Sequence, residues 1–238
     1  MHDAGSSGST TTTGDGGTCV PGPAWTGGTT HTGNGQGTAD GSYTWNLYAA
    51  GGGGDSITVA GTDALFSAMW NNSGDFIARV GLQFNSTMTP SQIGTLEADF
   101  AETKTGSGGF YSNIGIYGWT ENPLHEYYIV DDWYGSGPPT SGTKAGSFEV
   151  DGDTYIVYQH TQNDQPTIQG GNATFVQFLS VRQHARQCGH ISISQHFAEW
   201  ATLGLQMGNL EEARILVEAG GGTGSINFTT ATVTLTSN

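Results

Sequence analysis

The residues best suited to chemistry lie in the run from Ile116 to Trp133, which reads Ile-Tyr-Gly-Trp-Thr-Glu-Asn-Pro-Leu-His-Glu-Tyr-Tyr-Ile-Val-Asp-Asp-Trp. Tyr117, Trp119, Tyr127, Tyr128 and Trp133, with Tyr134 just beyond, surround the glutamate Glu126, and Asn122-Pro123 is the only turn signal inside. The pattern predicts two short strands joined by a tight connection. Side chains alternate along a strand, so Glu126 and Tyr128 share one face and Tyr127 points to the other; Tyr117 and Trp119 share a face on the preceding strand. A lone strand glutamate is ordinarily solvated, but aromatic neighbours on both strands argue against that here. Burying an unpaired carboxylate is costly, so this is a poor way to build a core. It suits a sugar site: ring faces stack on pyranose C–H surfaces, and a carboxylate held by phenol donors can serve as nucleophile or acid.

The whole chain must supply the scaffold. Its 238 residues fit one all-β domain plus a tail, and 39 glycines with few lysines and arginines suit many short strands and tight turns. A net charge of −15 repels nucleic acid and anionic membranes, which favours a neutral polymer or small molecule as partner. No apolar run reaches the roughly 18 residues of a membrane-spanning helix, and no basic-then-apolar leader is visible. Cys19 and Cys188 match no metal spacing; a disulfide and two free thiols are both allowed. The histidines form no pair with metal spacing, and His125 beside Glu126 should point away from it, so neither metal nor cofactor is expected. The sequons at Asn71, Asn85, Asn172 and Asn227 matter only in a eukaryotic secretory route.

Residues 1–38 are mostly Ser, Thr and Gly, read as a flexible tail, a linker remnant or an arm pinned at Trp25; residues 39–238 form the folded domain. From 42 onward, alternating runs and Gly-rich turns predict a hairpin at 42–59, a second across Asn71–Gly74, strands around Gly106–Gly109, and a hairpin at Asp151-Gly152. Residues 134–142 read as a loop, and 163–171 interrupt the strands. One helix is expected at 195–205, with Phe197, Trp200, Ala201 and Leu205 on one face and Ser194 as cap. A dozen strands with one helix fit a two-sheet β-jelly roll, closed by strands near 211–218 and 226–235.

The central segment, Tyr-Gly-Trp-Thr-x-Asn-Pro-Leu-x-Glu-Tyr-Tyr-Ile-Val-Asp-x-Trp, resembles the nucleophile segment of family 11 glycoside hydrolases, the small endo-β-1,4-xylanases. The resemblance covers roughly residues 41–236 and includes the Trp70 to Phe76 hairpin, Gln177 with Ser180-Val-Arg182, and Ile215-Leu-Val-Glu218 before a Gly-rich turn. It implies a jelly roll and a retaining mechanism with Glu126 as nucleophile and Glu218 as acid/base. It also implies that Asp75 adjoins the acid/base. Tyr117 and Tyr128 would hold the nucleophile and the −1 sugar, Trp119 would be a cleft aromatic, and Tyr48 would take the place of a Trp stacking on the −2 sugar. Gln177 would lie near the −1 sugar, and Pro166 with Ile168 would form the tip of a thumb hairpin closing over the chain. An Asp at position 75, hydrogen-bonded to Glu218, would share a proton with it and give an acidic optimum, below about pH 5.5.

The departures fall in the cleft. The acid/base turn reads Glu218-Ala-Gly-Gly-Gly-Thr-Gly224 and has lost its tyrosine, a tyrosine six residues earlier is Glu212, the thumb arginine is Gln162, the arginine before Asn-Pro is Glu121, and a tryptophan is Leu179. Exposed Glu121 and Glu212 would fit an acidic or saline habitat. The leading expectation is a secreted, monomeric, retaining endo-β-1,4-xylanase. A β-sandwich that binds xylan or another glycan without cleaving it, and a jelly-roll β-1,4-glucanase, are the alternatives.

Overall fold

The computed structural model describes residues 22–237. In chain order the elements are β1 (Thr29–Thr32), β2 (Gly35–Asp40), β3 (Tyr43–Ala50), β4 (Ser56–Val59), β5 (Phe66–Asn71), β6 (Asp75–Gln83), α1 (Pro90–Ile93), β7 (Thr95–Gly106), β8 (Ser112–Glu121) and β9 (His125–Asp132). They continue with β10 (Thr143–Val150), β11 (Asp153–Pro166), β12 (Asn172–Arg182), β13 (Cys188–Ile191), α2 (Ile193–Thr202), β14 (Asn209–Leu210), β15 (Glu212–Ala219) and β16 (Thr223–Thr236).

These strands make the two sheets of a jelly roll. The smaller runs β1-β4-β5-β16-β7-β13, and the larger runs β10-β11-β12-β9-β8-β15-β6-β3-β2, with β14 on β8. Within the larger sheet β12 and β9 are parallel; the other named pairs are antiparallel.

Period-2 alternation decides which residues each face of the large sheet receives. Ile116, Tyr127, Ile129, Ile215 and Val217 point toward the small sheet and pack with Phe66, Phe100 and Phe228 in the main core. Their sequence neighbours Tyr117, Tyr128, Val130 and Leu216 point the other way and join Trp119, Phe175 and Leu179 in a second apolar cluster on the outer face. The segment that looked overloaded with aromatics therefore feeds two layers. Helix α2 seals the main core with Phe197 and Trp200, and Tyr127 donates its hydroxyl to the Glu212 carbonyl at 2.6 Å, so even the core-facing phenol is satisfied.

Several local expectations need correcting. α2 starts at Ile193 with Ser192 as its N-cap, and the Ser194 hydroxyl instead accepts from the Leu96 N–H at 2.8 Å, tying the helix to β7. The helix ends at Thr202, so Leu205 is buried from beyond it, and the short α1 is a second helix. Residues 163–166 do not interrupt the strands: β11 runs on to Pro166, and only Thr167–Gly171 turns, closed by the Thr167 N–H on the Gly171 carbonyl. The Asp151-Gly152 hairpin takes positive φ at both positions, 48° and 70°, as a two-residue turn between paired Val150 and Asp153 requires. Strand pairing starts earlier than the expected boundary at 38, because β1 pairs with β4 and β2 with β3, and the Trp25 indole N–H donates to the Phe228 carbonyl at 2.8 Å. Cys188 is disulfide-bonded, not a free thiol; Cys19 and the rest of 1–21 lie outside the described residues.

Candidate active site

The outer face of the large sheet carries a cleft of about 850 Å³. Strand order explains how distant residues meet there. β9 and β15 flank β8, so Glu126 and Glu218 stand on the two neighbours of one strand and face the same cleft. Register fixes the rest: Glu126 lies opposite Trp119 on β8 and Gln177 on β12, Tyr128 opposite Tyr117, and Glu218 opposite Asn113 and Ile77. Among the described residues, the cleft lining includes all of the predicted site residues: Glu126, Glu218, Asp75, Tyr117, Trp119, Tyr128, Tyr48, Gln177, Pro166 and Ile168. Pro139 to Ser141 of the loop after β9 lie over it as well.

Glu126 is only 6% exposed and is held by three donors. Tyr117 Oη donates to Oε1 at 2.5 Å, Tyr128 Oη to Oε1 at 3.1 Å, and Gln177 Nε2 to Oε2 at 2.5 Å. Two of the donors are themselves braced: the Trp119 indole N–H donates to Tyr117 Oη at 2.5 Å, and Gln162 Nε2 donates to Gln177 Oε1 at 3.1 Å. Gln162, where the resemblance leads one to expect an arginine, thus orients the glutamine that holds Glu126. Glu218 is equally buried, accepts from Asn113 Nδ2 at 2.6 Å, and has Tyr128 Oη 3.5 Å from its Oε1. One phenol oxygen therefore stands within reach of both carboxylates.

The two glutamates differ in charge environment. Burial pushes both carboxyls up, but at Glu126 the donors Tyr117, Gln177 and Tyr128 and the charge of Arg79 oppose it. Glu218 is pushed well above the carboxylate range by burial first, then by the charge of Asp75, with only Asn113 and Tyr128 pulling down and Glu126 adding to the rise. Of the two, Glu218 is the carboxyl that holds a proton more readily and Glu126 the one that ionises first. Burial also drives the Tyr117 and Tyr128 hydroxyls far up, so both remain donors at any working pH.

Asp75 is placed beside Glu218 in the cleft, but its hydrogen bond goes elsewhere than expected. Tyr111 Oη donates to Asp75 Oδ1 at 3.0 Å, and Asn113 takes the place on Glu218 that the resemblance implied for Asp75. Burial raises the Asp75 carboxyl and the Tyr111 bond lowers it. Glu212 is a second correction: it is fully buried, not exposed, and is ion-paired to Arg79 and Arg214, so it reflects the cleft floor and not habitat. Glu121 is half-buried. His125 points into the core side, against Phe178, as alternation required.

Asn113, Arg79, Tyr111 and Phe175 also line the cleft and were not among the predicted residues. Three of them carried a signal: counting by twos from Tyr117 reaches Asn113, from Asp75 reaches Arg79 and from Gln177 reaches Phe175. Tyr111 lies before β8, where alternation gives no direction. Its ring fills the space at Gly220, where an added Cβ would come within 2.1 Å of the ring, so a tyrosine from before β8 occupies the room vacated by the one missing from the Glu218-Ala-Gly220 turn.

Fold and site together define a two-sheet jelly roll with a paired-glutamate cleft on the outer face of its larger sheet. The chain belongs to Glycosyl hydrolases family 11, whose model matches residues 40–229. It is 48% identical over 179 residues to endo-1,4-beta-xylanase C of Fibrobacter succinogenes, covering 75% of this chain and 29% of that protein. It is 46% identical over 198 residues to endo-1,4-beta-xylanase S20 of Neocallimastix patriciarum, covering 81% and 58%. The chain thus spans well under two thirds of the length of both. A crystal structure of a mutant ENZbleach xylanase superposes with a TM-score of 0.83 at 36% identity, covering 90% of this chain and 89% of that one.

Proposed function

We propose that this chain is the catalytic unit of a secreted, retaining endo-β-1,4-xylanase that cleaves internal bonds of xylan with Glu126 as nucleophile and Glu218 as acid/base. The observation that carries the reading is the pair of buried glutamates reached by one hydroxyl, Tyr128 Oη, with Glu218 pushed further up than Glu126. Family membership and the xylanases it resembles supply the substrate class. Secretion follows from a polymer that cannot enter a cell.

In the first step Glu218 gives its proton to the leaving glycosidic oxygen while the Glu126 carboxylate attacks the anomeric carbon; in the second, Glu218 takes a proton from water, which displaces Glu126. Reach by a single hydroxyl supports the retaining separation of about 5 to 5.5 Å over the roughly 6.5 to 9.5 Å of inverting enzymes. Tyr117, Tyr128 and Gln177 aim Glu126 and fix its attacking oxygen. Trp119 and Tyr48 offer ring faces to the flanking sugars, and Pro166 and Ile168 close from the β11–β12 hairpin tip.

When Glu218 loses its proton, it becomes a second anion beside Asp75. A protonated Asp75 avoids that repulsion, so the faster form of the enzyme is populated at lower pH and the optimum is acidic. The test is release of reducing sugar from xylan by wild type, Glu126→Ala and Glu218→Ala, with mixed-linkage glucan and cellulose alongside. Release from xylan that disappears in Glu126→Ala supports the proposal. Binding to xylan without release leaves a glycan-holding sandwich, and a preference for glucan over xylan leaves a glucanase.

A further inference from the structure

The cleft floor holds buried charge that no step of the hydrolysis uses. Glu212 on β15, with its side chain fully enclosed, lies 3.4 Å from Arg79 Nη2 and 2.9 Å from Arg214 Nε. All three stand on the cleft face, because Arg79 on β6 and Glu212 and Arg214 on β15 follow the same alternation as Asp75 and Glu218. Arg214 can lie flat there because Gly81 is its partner on β6; a Cβ at 81 would come within 2.6 Å of the Arg214 backbone.

Guanidinium groups stay charged at any working pH, so two buried cations face one buried anion. At the outer end Arg214 also donates to Gln83 Oε1 at 3.3 Å and feels the half-exposed Glu211. At the inner end Arg79 has no such second carboxylate beside it except Glu126. Its guanidinium carbon sits 4.5 Å from the centre of the Tyr117 ring, and Tyr117 Oη donates to Glu126 at 2.5 Å. Arg79 Nε is buried and bonded to nothing, so what fixes the group is its place between Glu212 and that ring. A cation on the ring face is itself attractive and makes the phenol a stronger donor. A fixed positive charge nearby also favours the ionised form of a carboxylate that burial would otherwise neutralise.

We propose that Arg79 is a positioning residue for the nucleophile: clamped by Glu212, its guanidinium holds the Tyr117 phenol on Glu126 and keeps that carboxylate ionised. This rests on Glu126 being the nucleophile. The substitution that looked like damage, a glutamate where a tyrosine belongs, is then one half of an Arg79–Glu212 unit that charges the cleft floor. The other groups facing Glu126 are Tyr117 on β8, Tyr128 on β9, Gln177 on β12, Glu218 on β15, Asp75 on β6 and, at the rim, Tyr111. Of these, Arg79 alone is cationic.

The experiment is the pH dependence of kcat/KM on a soluble xylo-oligosaccharide for wild type, Arg79→Met and Arg79→Lys, with thermal melts of each and Glu126→Gln as a parallel control. Removing a nearby positive charge raises a carboxyl pKa, so Arg79→Met should move the acid limb upward by about one pH unit. The basic limb should hardly move, and Arg79→Lys should restore most of the acid limb. If Arg79→Met does not fold, Arg79→Gln keeps a polar side chain at that place, leaves the Glu212–Arg214 pair intact, and should show the same upward shift. An acid limb unmoved in a folded charge-removed variant overturns the proposal, even if kcat falls. If Glu126→Gln kept its hydrolytic rate, the assignment of the nucleophile would fail instead.

Discussion

At the residue scale, function turns on how differently one groove treats two glutamates. Glu126 is surrounded by donors that favour its anion, while Glu218 has one close donor, Asn113, and two anionic neighbours. On the proposed mechanism Asp75 sets the pH at which this works. Asp75→Asn keeps a neutral side chain beside Glu218 at every pH, as only protonated Asp75 does in wild type, so the faster form should persist to higher pH; the optimum on xylan should rise by about one unit, and a profile that keeps its alkaline limb would refute the role. Glu126 among its aromatics was legible from residue type and alternation, while Glu218 was reached through the resemblance of Ile215-Leu-Val-Glu218 to the family's acid/base strand. Arg79 and Glu212 were not legible: an arginine on one strand and a misplaced glutamate on another become a unit only when β6 and β15 are paired. The Asp75 bond was misjudged for a similar reason, since nothing in the sequence says that Tyr111 folds back over Gly220 to take it.

At the element scale, alternation in the β8–β9 hairpin is what makes one segment both core and cleft. Tyr127 and Ile129 face the small sheet while Glu126, Tyr128 and Val130 face the substrate side. That periodicity could be read directly, as could the Asp151-Gly152 turn. The thumb could be placed but not measured, because β11 and β12 extend past polar, Pro-containing sequence only by pairing with each other, Gln165 with Ala173 and Pro166 with Asn172. Ile168 at its tip is half-buried against the outer-face cluster that includes Trp119 and Phe175. Truncating a tip residue that closes over bound sugar removes binding without touching the reacting carboxylates. Ile168→Ala should therefore raise KM roughly three- to tenfold, the worth of about 1 kcal/mol of apolar contact, with kcat nearly unchanged. Equal loss in kcat would show that the thumb also aligns the bond being broken.

At the scale of the whole molecule, a chain with net charge −15 buries several of its carboxylates, Glu102, Asp131 and Asp132 among them, and where it does so shapes its stability. Glu102 on β7 is enclosed beside Asp132 and Lys104, and its oxygens make no hydrogen bond, though Lys104 lies 3.4 Å away. Burial first, then Asp132, pushes its carboxyl up to about 9, with Lys104 opposing. The folded protein therefore holds a proton that the unfolded chain releases near 4.5; the stability this proton contributes is complete below that pH and is lost as pH rises toward 9. Glu102→Gln keeps a neutral group at every pH, so its melting temperature should match wild type at pH 4 and exceed it by a margin that grows toward pH 9. A constant difference across that range would mean that Glu102 stays ionised in the fold.

The central claim is that Glu126 and Glu218 break the glycosidic bond by double displacement, and it is tested most directly by following product anomers by NMR as xylan is hydrolysed by wild type, Glu126→Ala and Glu218→Gln. The account predicts β-anomers appearing first from wild type, no product from Glu126→Ala, and a rate lower by about 10² to 10⁴ in Glu218→Gln. First appearance of the α-anomer, or undiminished release by Glu126→Ala, would contradict it.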